Sequence, residues 1–282
     1  MIRLTPAHPG YPERLRKLKD RPDPLWLWGE MPQATVPTVG VVGTRRVTPL
    51  GTRVARIVAM TLARAGAVIV SGLAQGIDSA AHAAALEAGG RTVAVLGEGL
   101  AFFDEHGPAR RRQLARRIRI QGAVISEYPL DLRGTNWTFP QRNKTIAALS
   151  DVLVVVEAPR DSGALITADE SFALQRPIFV VPGPMDAPTW LGSNDYIAKG
   201  KARILASVQQ VAEHLRLTIG EAAPEDPAGR DRLASVLAAE PADADTIARA
   251  LRIRPADAAT LIAEELIAGH IVATGDGRFA RR

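Results

Sequence analysis

The chain has no cysteine among its 282 residues. Disulfides, thiol nucleophiles and cysteine-based metal sites are therefore excluded. Histidine is scarce, at five. A lone histidine such as His82, with neither cysteine nor a carboxylate pair beside it, is a poor start for a metal or a catalytic site. No run approaches the roughly 18 apolar residues of a membrane helix. The opening MIRLTPAHPGYPERL lacks the apolar core of a signal peptide. The expectation is a soluble cytoplasmic protein with no membrane partner. The GxGxxG spacing of a dinucleotide site is also missing after the first apolar run, so no cofactor is expected.

What is present is an apolar fraction of 46%, enough for a sizeable core, in a length that suits one large domain and one small one. The formal charge is +5, with 35 Lys and Arg against 30 Asp and Glu. The excess is uneven. Residues 231–282 hold seven Arg against eight Asp and Glu, so residues 1–230 carry a net +6. That favours a polyanionic partner for the larger part. An arginine-rich proteome would give the same balance.

Short, continuously apolar runs at Thr38–Val42, Ala67–Val70, Thr92–Leu96, Ala123–Ile125, Val152–Val156 and Ile178–Val181 read as buried parallel strands. Helices are expected at Leu50–Ala65, Ile77–Ala88, Ala109–Ile120, Asn143–Leu149, Ala164–Gln175 and Val208–Leu215. Gly66, Gly89–Gly90 and Gly122 would end three of them as left-handed caps. Strands alternating with helices at this spacing imply an α/β domain with a parallel, extended Rossmann-like sheet.

Polar and glycine-rich strings fall just past the strand ends, where ligands bind in such sheets. They are VVGTRR, VSGLAQGID, QRNK, EAPRDSGALITA and VPG. Gly43 permits close backbone approach, Thr44 can donate to phosphate, and Arg45 can grip phosphate or stack on a base. Ser71 and Gly72, and Ser162, Gly163 and Thr167, offer further anion cradles beside helix starts. Phe139, Arg142, Asn143 and Lys144 put an aromatic face, cations and an amide within six residues, the usual means of holding a single strand. Trp137 is a second candidate aromatic. Asp78 and His82 read as capping and packing residues. Of the arginines between 110 and 119, Arg112, Arg116 and Arg119 share a helix face, either as a phosphate track or as a solvated surface.

The set GTR, SGLA-x-GID-x-x-AH, TVAVLGEGL, SEYP, F-P-x-RN, SGALITA and PGP resembles the DprA/Smf family of DNA-processing proteins, from about Tyr11 to Ala202. The resemblance implies sequence-independent binding of single-stranded DNA in natural transformation, protection of incoming strands, loading of the RecA recombinase, and a homodimer. It implies no enzyme activity. Two departures stand out: Lys144 replaces the second arginine of an RNR string, and DEHGP stands where Tyr-Pro is expected. Many members carry a preceding helical domain, which this chain is too short to hold.

The expected organisation is a lead-in over 1–36, a Rossmann-like DNA-binding domain over 37–217, a linker over 218–230 and a winged helix over 231–282. The last carries net negative charge, which suits a protein contact or regulation better than groove binding. Arg249, Arg252 and Arg254 are its local basic candidates. Two rivals use the same pocket: a nucleotide or nucleotide-sugar hydrolase with Glu157 or Glu170 as acid/base, and a small-ligand sensor. The absence of a PGGxGT string counts against hydrolysis.

Overall fold

The Val- and Ile-rich runs become the centre of a nine-stranded sheet in the computed structural model of the chain. The structure describes residues 1–219, 227–253, 255–267, 270–274 and 277–281. The chain divides into two units, Met1–Ile219 and Gly220–Arg282.

The first unit runs β1 (Ile2–Leu4), α1 (Glu13–Arg16), β2 (Leu25–Gly29), β3 (Thr38–Val42), α2 (Pro49–Arg64), β4 (Val68–Ser71), α3 (Ile77–Glu87), β5 (Thr92–Leu96), α4 (Leu100–His106), α5 (Ala109–Gln121), β6 (Ala123–Ser126), α6 (Thr138–Leu149), β7 (Val152–Val155), α7 (Gly163–Ala173), β8 (Ile178–Val180), α8 (Leu191–Ala198), β9 (Arg203–Ile204) and α9 (Gln209–Leu215). Strand order is β1-β2-β6-β5-β4-β3-β7-β8-β9. From β6 to β9 every pairing is parallel. This is an α/β, Rossmann-like sheet.

Side chains leave the sheet alternately on its two faces. Val39, Val41, Ile69 and Val154 cluster with Ala55, Val58 and Leu62 of α2 and with α3. Val42, Val70, Val93 and Val155 cluster on the other face with Ile146 and Leu149 of α6. Both faces are covered, which is why these strands lack a polar alternation.

The chain lays β3 to β6 outward in one direction, then crosses back through α6 to place β7 on the other side of β3. The sheet therefore reverses between β3 and β7. At such a reversal the loops beyond the carboxyl ends diverge and leave a crevice.

Several elements differ from the sequence reading. The first 36 residues are part of the sheet: β1 and β2 extend it antiparallel, with Leu27 paired to Ile125. Leu25 and Leu27 are buried while Trp26 and Trp28 are half-buried, the alternation of an edge pair. Gly66 and Gly89 do take positive φ, at 92° and 73°. Gly122 is extended at φ −178° and is no left-handed cap. Its carbonyl accepts from Glu30 N instead. Helix α6 starts at Thr138, five residues early. Pro140 in a first turn costs no helical hydrogen bond, and the Thr138 hydroxyl ties the turn to Thr135 N at 2.9 Å.

The second unit has α10 (Pro227–Ala239), α11 (Ala244–Leu251), α12 (Pro255–Ile267) and a hairpin of β10 (Ile271–Ala273) and β11 (Phe279–Arg281). Leu233, Leu237, Ile247, Leu251, Ile262 and Ile271 form its own small core. Asp243 caps α11 by accepting from Thr246 N at 2.7 Å. Of the expected linker, 220–226 lie outside the described residues, and Pro227–Arg230 belong to α10. No helix among the described residues is long and apolar enough to cross a membrane.

Candidate nucleic-acid interface

The crevice at the reversal point is a cleft of about 410 Å³. Its walls are the loop after β3, the loop after β7 and the first turns of α6 and α7. Backbone contacts lock these loops. Thr44 N donates to Glu157 O at 2.7 Å, and Ile77 N donates to Thr44 O at 3.3 Å. A side chain at Gly43 would put its Cβ 2.5 Å from Ile77 Cγ1 and 2.9 Å from Glu157 O. Only glycine lets the three segments meet.

The cleft brings together Gly43, Thr44, Arg45, Phe139, Arg142, Asn143, Ser162, Gly163 and Thr167. Their physical states differ. Arg45 is exposed, and its guanidinium carbon stands 5.4 Å from the centroid of the Phe139 ring. Phe139 is half-buried on Gly97 and Gly134. Ser162 caps α7, its Oγ accepting from Ala164 N at 3.2 Å, and Gly163 beside it faces open space. Thr44 and Thr167 are buried in the walls.

Arg142 is buried, and two of its three nitrogens bond to the protein. Nη1 donates to Gly72 O at 2.9 Å and to Val95 O, and Nε donates to Asn143 Oδ1 at 3.4 Å. Burial pulls the guanidinium down to about 10, against the opposing pull of Asp78. Asp78 is itself pushed up by burial, countered by Arg142 and by bonds from Ala74 N and Gly72 N. A Cβ on Gly72 would stand 2.6 Å from Arg142 Nη2. Arg142 and Asp78 are thus a bracket that shapes the loop after β4. Asn143 continues it, donating from Nδ2 to Gly163 O at 3.1 Å.

Three expected residues stand outside this cleft, and one of them, Gly72, lines the adjoining cleft. Ser71 is fully buried and its hydroxyl donates to Val41 O at 2.6 Å, so it holds β4 to β3. Lys144 pairs with Asp20 at 3.1 Å and does not line this cleft, because one helical step past Asn143 turns it toward the N-terminal segment. Trp137, though exposed, stands edge-on to Tyr128 at 6.1 Å and also lies outside the clefts. His82 is buried against Thr92 Oγ1 at 2.6 Å, and burial lowers it to about 3. Its role is packing.

The carboxylates named for hydrolysis do not line the cleft. Glu157 is fully buried and accepts from Thr48 N and Oγ1 at 3.1 and 2.9 Å, holding the start of α2. Asp161, unremarked in the sequence, stands exposed at the rim. Among the described residues no group of three or more His, Asp and Glu side chains could hold a metal ion. In the second unit Arg249 bonds locally to Asp245 O and Thr246 Oγ1. Arg254 lies outside the described residues.

A second, larger cleft of about 870 Å³ adjoins the first, sharing Arg45, Ala74, Phe139 and Arg142 with it. Its far wall is α5, with Arg110, Arg111 and Arg117. Arg111 donates from Nε to Leu73 O at 2.7 Å and lies 3.7 Å from Glu98. Burial pushes the Glu98 carboxyl up, against the pull of Arg111.

Residues 3–216 match the sequence model of the family described as DNA recombination-mediator protein A. The chain belongs to that family. It is similar to the protein Smf of Synechocystis, 40% identical over 213 residues, which are 74% of this chain and 53% of the other. The DNA processing protein DprA of Bacillus subtilis is 36% identical, over 73% of this chain and 68% of its own. The chain spans about half the length of the Synechocystis and Escherichia coli Smf proteins, 53% and 54%. Among solved structures, DprA of Streptococcus pneumoniae superposes with a TM-score of 0.68 at 34% identity, covering 75% of this chain and 73% of that one. DprA of Helicobacter pylori, described for its unique single-stranded DNA binding mode, superposes with a TM-score of 0.64 at 31% identity, covering 73% and 92%. Family membership fits the fold: the matched span takes in all nine strands but the first residue of β1.

Proposed function

We propose that the chain binds single-stranded DNA without sequence preference along the carboxyl edge of its sheet. The observation that carries this reading is the Arg45–Phe139 pair. It stands where the two clefts join, and it offers a planar surface to a base while the guanidinium edge stays available to phosphate. Around it are hydroxyls, glycine backbone and a capped helix start, which suit phosphate oxygens. Few side chains are set to read base edges, so the strand is held by its backbone and its stacking.

Within the cell, the reading is a cytoplasmic role in natural transformation: the protein protects incoming single strands and helps load the RecA recombinase, working as a homodimer. Family membership and the names of the relatives support this. The second unit is read as a winged helix, from three helices followed by a hairpin. Its role is contact with protein, since its charge is net negative.

The test is a titration of the full chain with labelled thymine-only and mixed-sequence strands at low and moderate salt. Equal affinity for the two strands and a steep fall with salt are expected. A flat salt response would point to a small-molecule pocket and overturn the reading. RecA filament growth on the same strands, with and without the protein, tests the loading step. An unchanged rate removes it.

A further inference from the structure

The α5 arginines divide into two sets by direction. Arg112 donates to Asp104 O at 3.0 Å, Arg116 pairs with the Asp104 carboxylate at 3.1 Å, and Arg119 lies 4.8 Å over the Trp28 ring. This is the face that the i, i+4, i+7 spacing singled out, and each of its guanidiniums already has a partner within the protein. Arg110 and Arg117 lie seven residues apart on the opposite face, since seven residues complete two turns. Both are exposed, both line the larger cleft, and among the described residues neither makes a hydrogen bond or ion pair.

Among the described residues the lining of that cleft has no carboxylate: its charged residues are Arg45, Arg110, Arg111, Arg117 and Arg142. The acids behind its walls are buried: Glu98 lies 3.7 Å from Arg111, and Asp78 accepts from Gly72 N and Ala74 N. Two turns of helix separate Arg110 from Arg117 by about 10.5 Å along the axis. That is a row of positive charge, with a floor of Ala80, Ala83 and Leu114. The row begins where the smaller cleft ends, at Arg45 and Phe139. A neutral small ligand would leave these cations unmatched, whereas a chain of phosphates matches them.

We infer that the α5 groove is a second phosphate-binding segment, into which a strand held in the smaller cleft continues past Arg45 and Phe139 along Arg110 and Arg117. This rests on the proposed single-strand binding. Short strands fill the smaller cleft alone, and longer ones gain the α5 contacts.

The test compares the full chain with Arg110→Ala/Arg117→Ala and with the control Arg116→Ala/Arg119→Ala, which removes the same charge from the other face of the same helix. Each is titrated with thymine strands of increasing length, and folding is checked by circular dichroism. The first variant should bind the shortest strands like the parent and lose about tenfold on long ones. Its salt slope on long strands should fall by about 1.4, from about 0.7 for each single-strand phosphate released. The control should keep the parent's length dependence and slope. Equal losses in both variants would reduce the effect to the general field of the protein and overturn the inference. So would parent-like binding of long strands by the first variant. Failure of the parent to bind any strand would instead defeat the underlying single-strand reading.

Discussion

Arg45 and Arg142 line the same cleft and differ in almost everything but charge. Arg45 is exposed and stands over an aromatic ring. Arg142 is buried, its Nη1 donating to two carbonyls at strand ends and its Nε to the amide of its neighbour. A cation bonded to main-chain carbonyls inside the fold is architecture, even when it borders a ligand site. A cation exposed beside an aromatic ring is available for recognition.

The largest effect should come from breaking the buried member. Arg142→Ala leaves Asp78 without its compensating charge and frees the carbonyls of Gly72 and Val95. A loss of about 3–5 kcal/mol is expected, read from the urea midpoint. A change below 1 kcal/mol would mean that the bracket holds nothing. Arg45→Ala is the mirror experiment. Its stability should stay within about 0.5 kcal/mol, while single-strand affinity falls by about 1.5–3 kcal/mol. Unchanged affinity with an intact fold would remove Arg45 from the site.

A third measurement sharpens the contrast with pH. His82 stays neutral in the fold because burial lowers it to about 3, whereas in the unfolded chain it protonates near 6.5. The unfolded state therefore binds the extra proton between these values. The His82 contribution to stability is full above pH 6.5 and is lost as pH falls toward 3. Between pH 7 and pH 5 the loss is about 2 kcal/mol. Nuclear magnetic resonance of the His82 ring should show no titration down to pH 5, and a midpoint near 6 would refute the assignment. The smallest effect belongs to Lys144→Ala. Its pair with Asp20 is partly exposed, so stability should move by less than about 1 kcal/mol. Strand affinity should not move, and a tenfold loss would return Lys144 to the site.

The central fold was legible because strands buried on both faces read as unbroken apolar runs. Thr38–Val42 and Thr92–Leu96 keep those very limits in the structure. The margins were not legible. β1 has three residues and β9 two exposed ones, too few for a period to show. α4 hides behind the glycines of GEGL and is cut from α5 by Gly107–Pro108. In the site, the strand-end loops were found because chain order and strand ends determine where they gather. Direction was not found. Arg142, Asn143 and Lys144 are consecutive, yet they face a strand end, a helix start and the N-terminal segment. The α5 arginines were left between a phosphate track and a solvated surface for the same reason: spacing groups side chains by face without saying which of them pair within the protein.

The bond from Thr44 N to Glu157 O, at 2.7 Å, joins the two loops on either side of the sheet's reversal. Main-chain atoms make it, so the distance between the cleft's walls is set without reference to any occupant. An incoming polymer meets a surface that has already given up its conformational freedom during folding. The entropy lost on association then falls almost wholly on the polymer. Stiffening the protein's loops further should therefore change the calorimetric entropy of binding little.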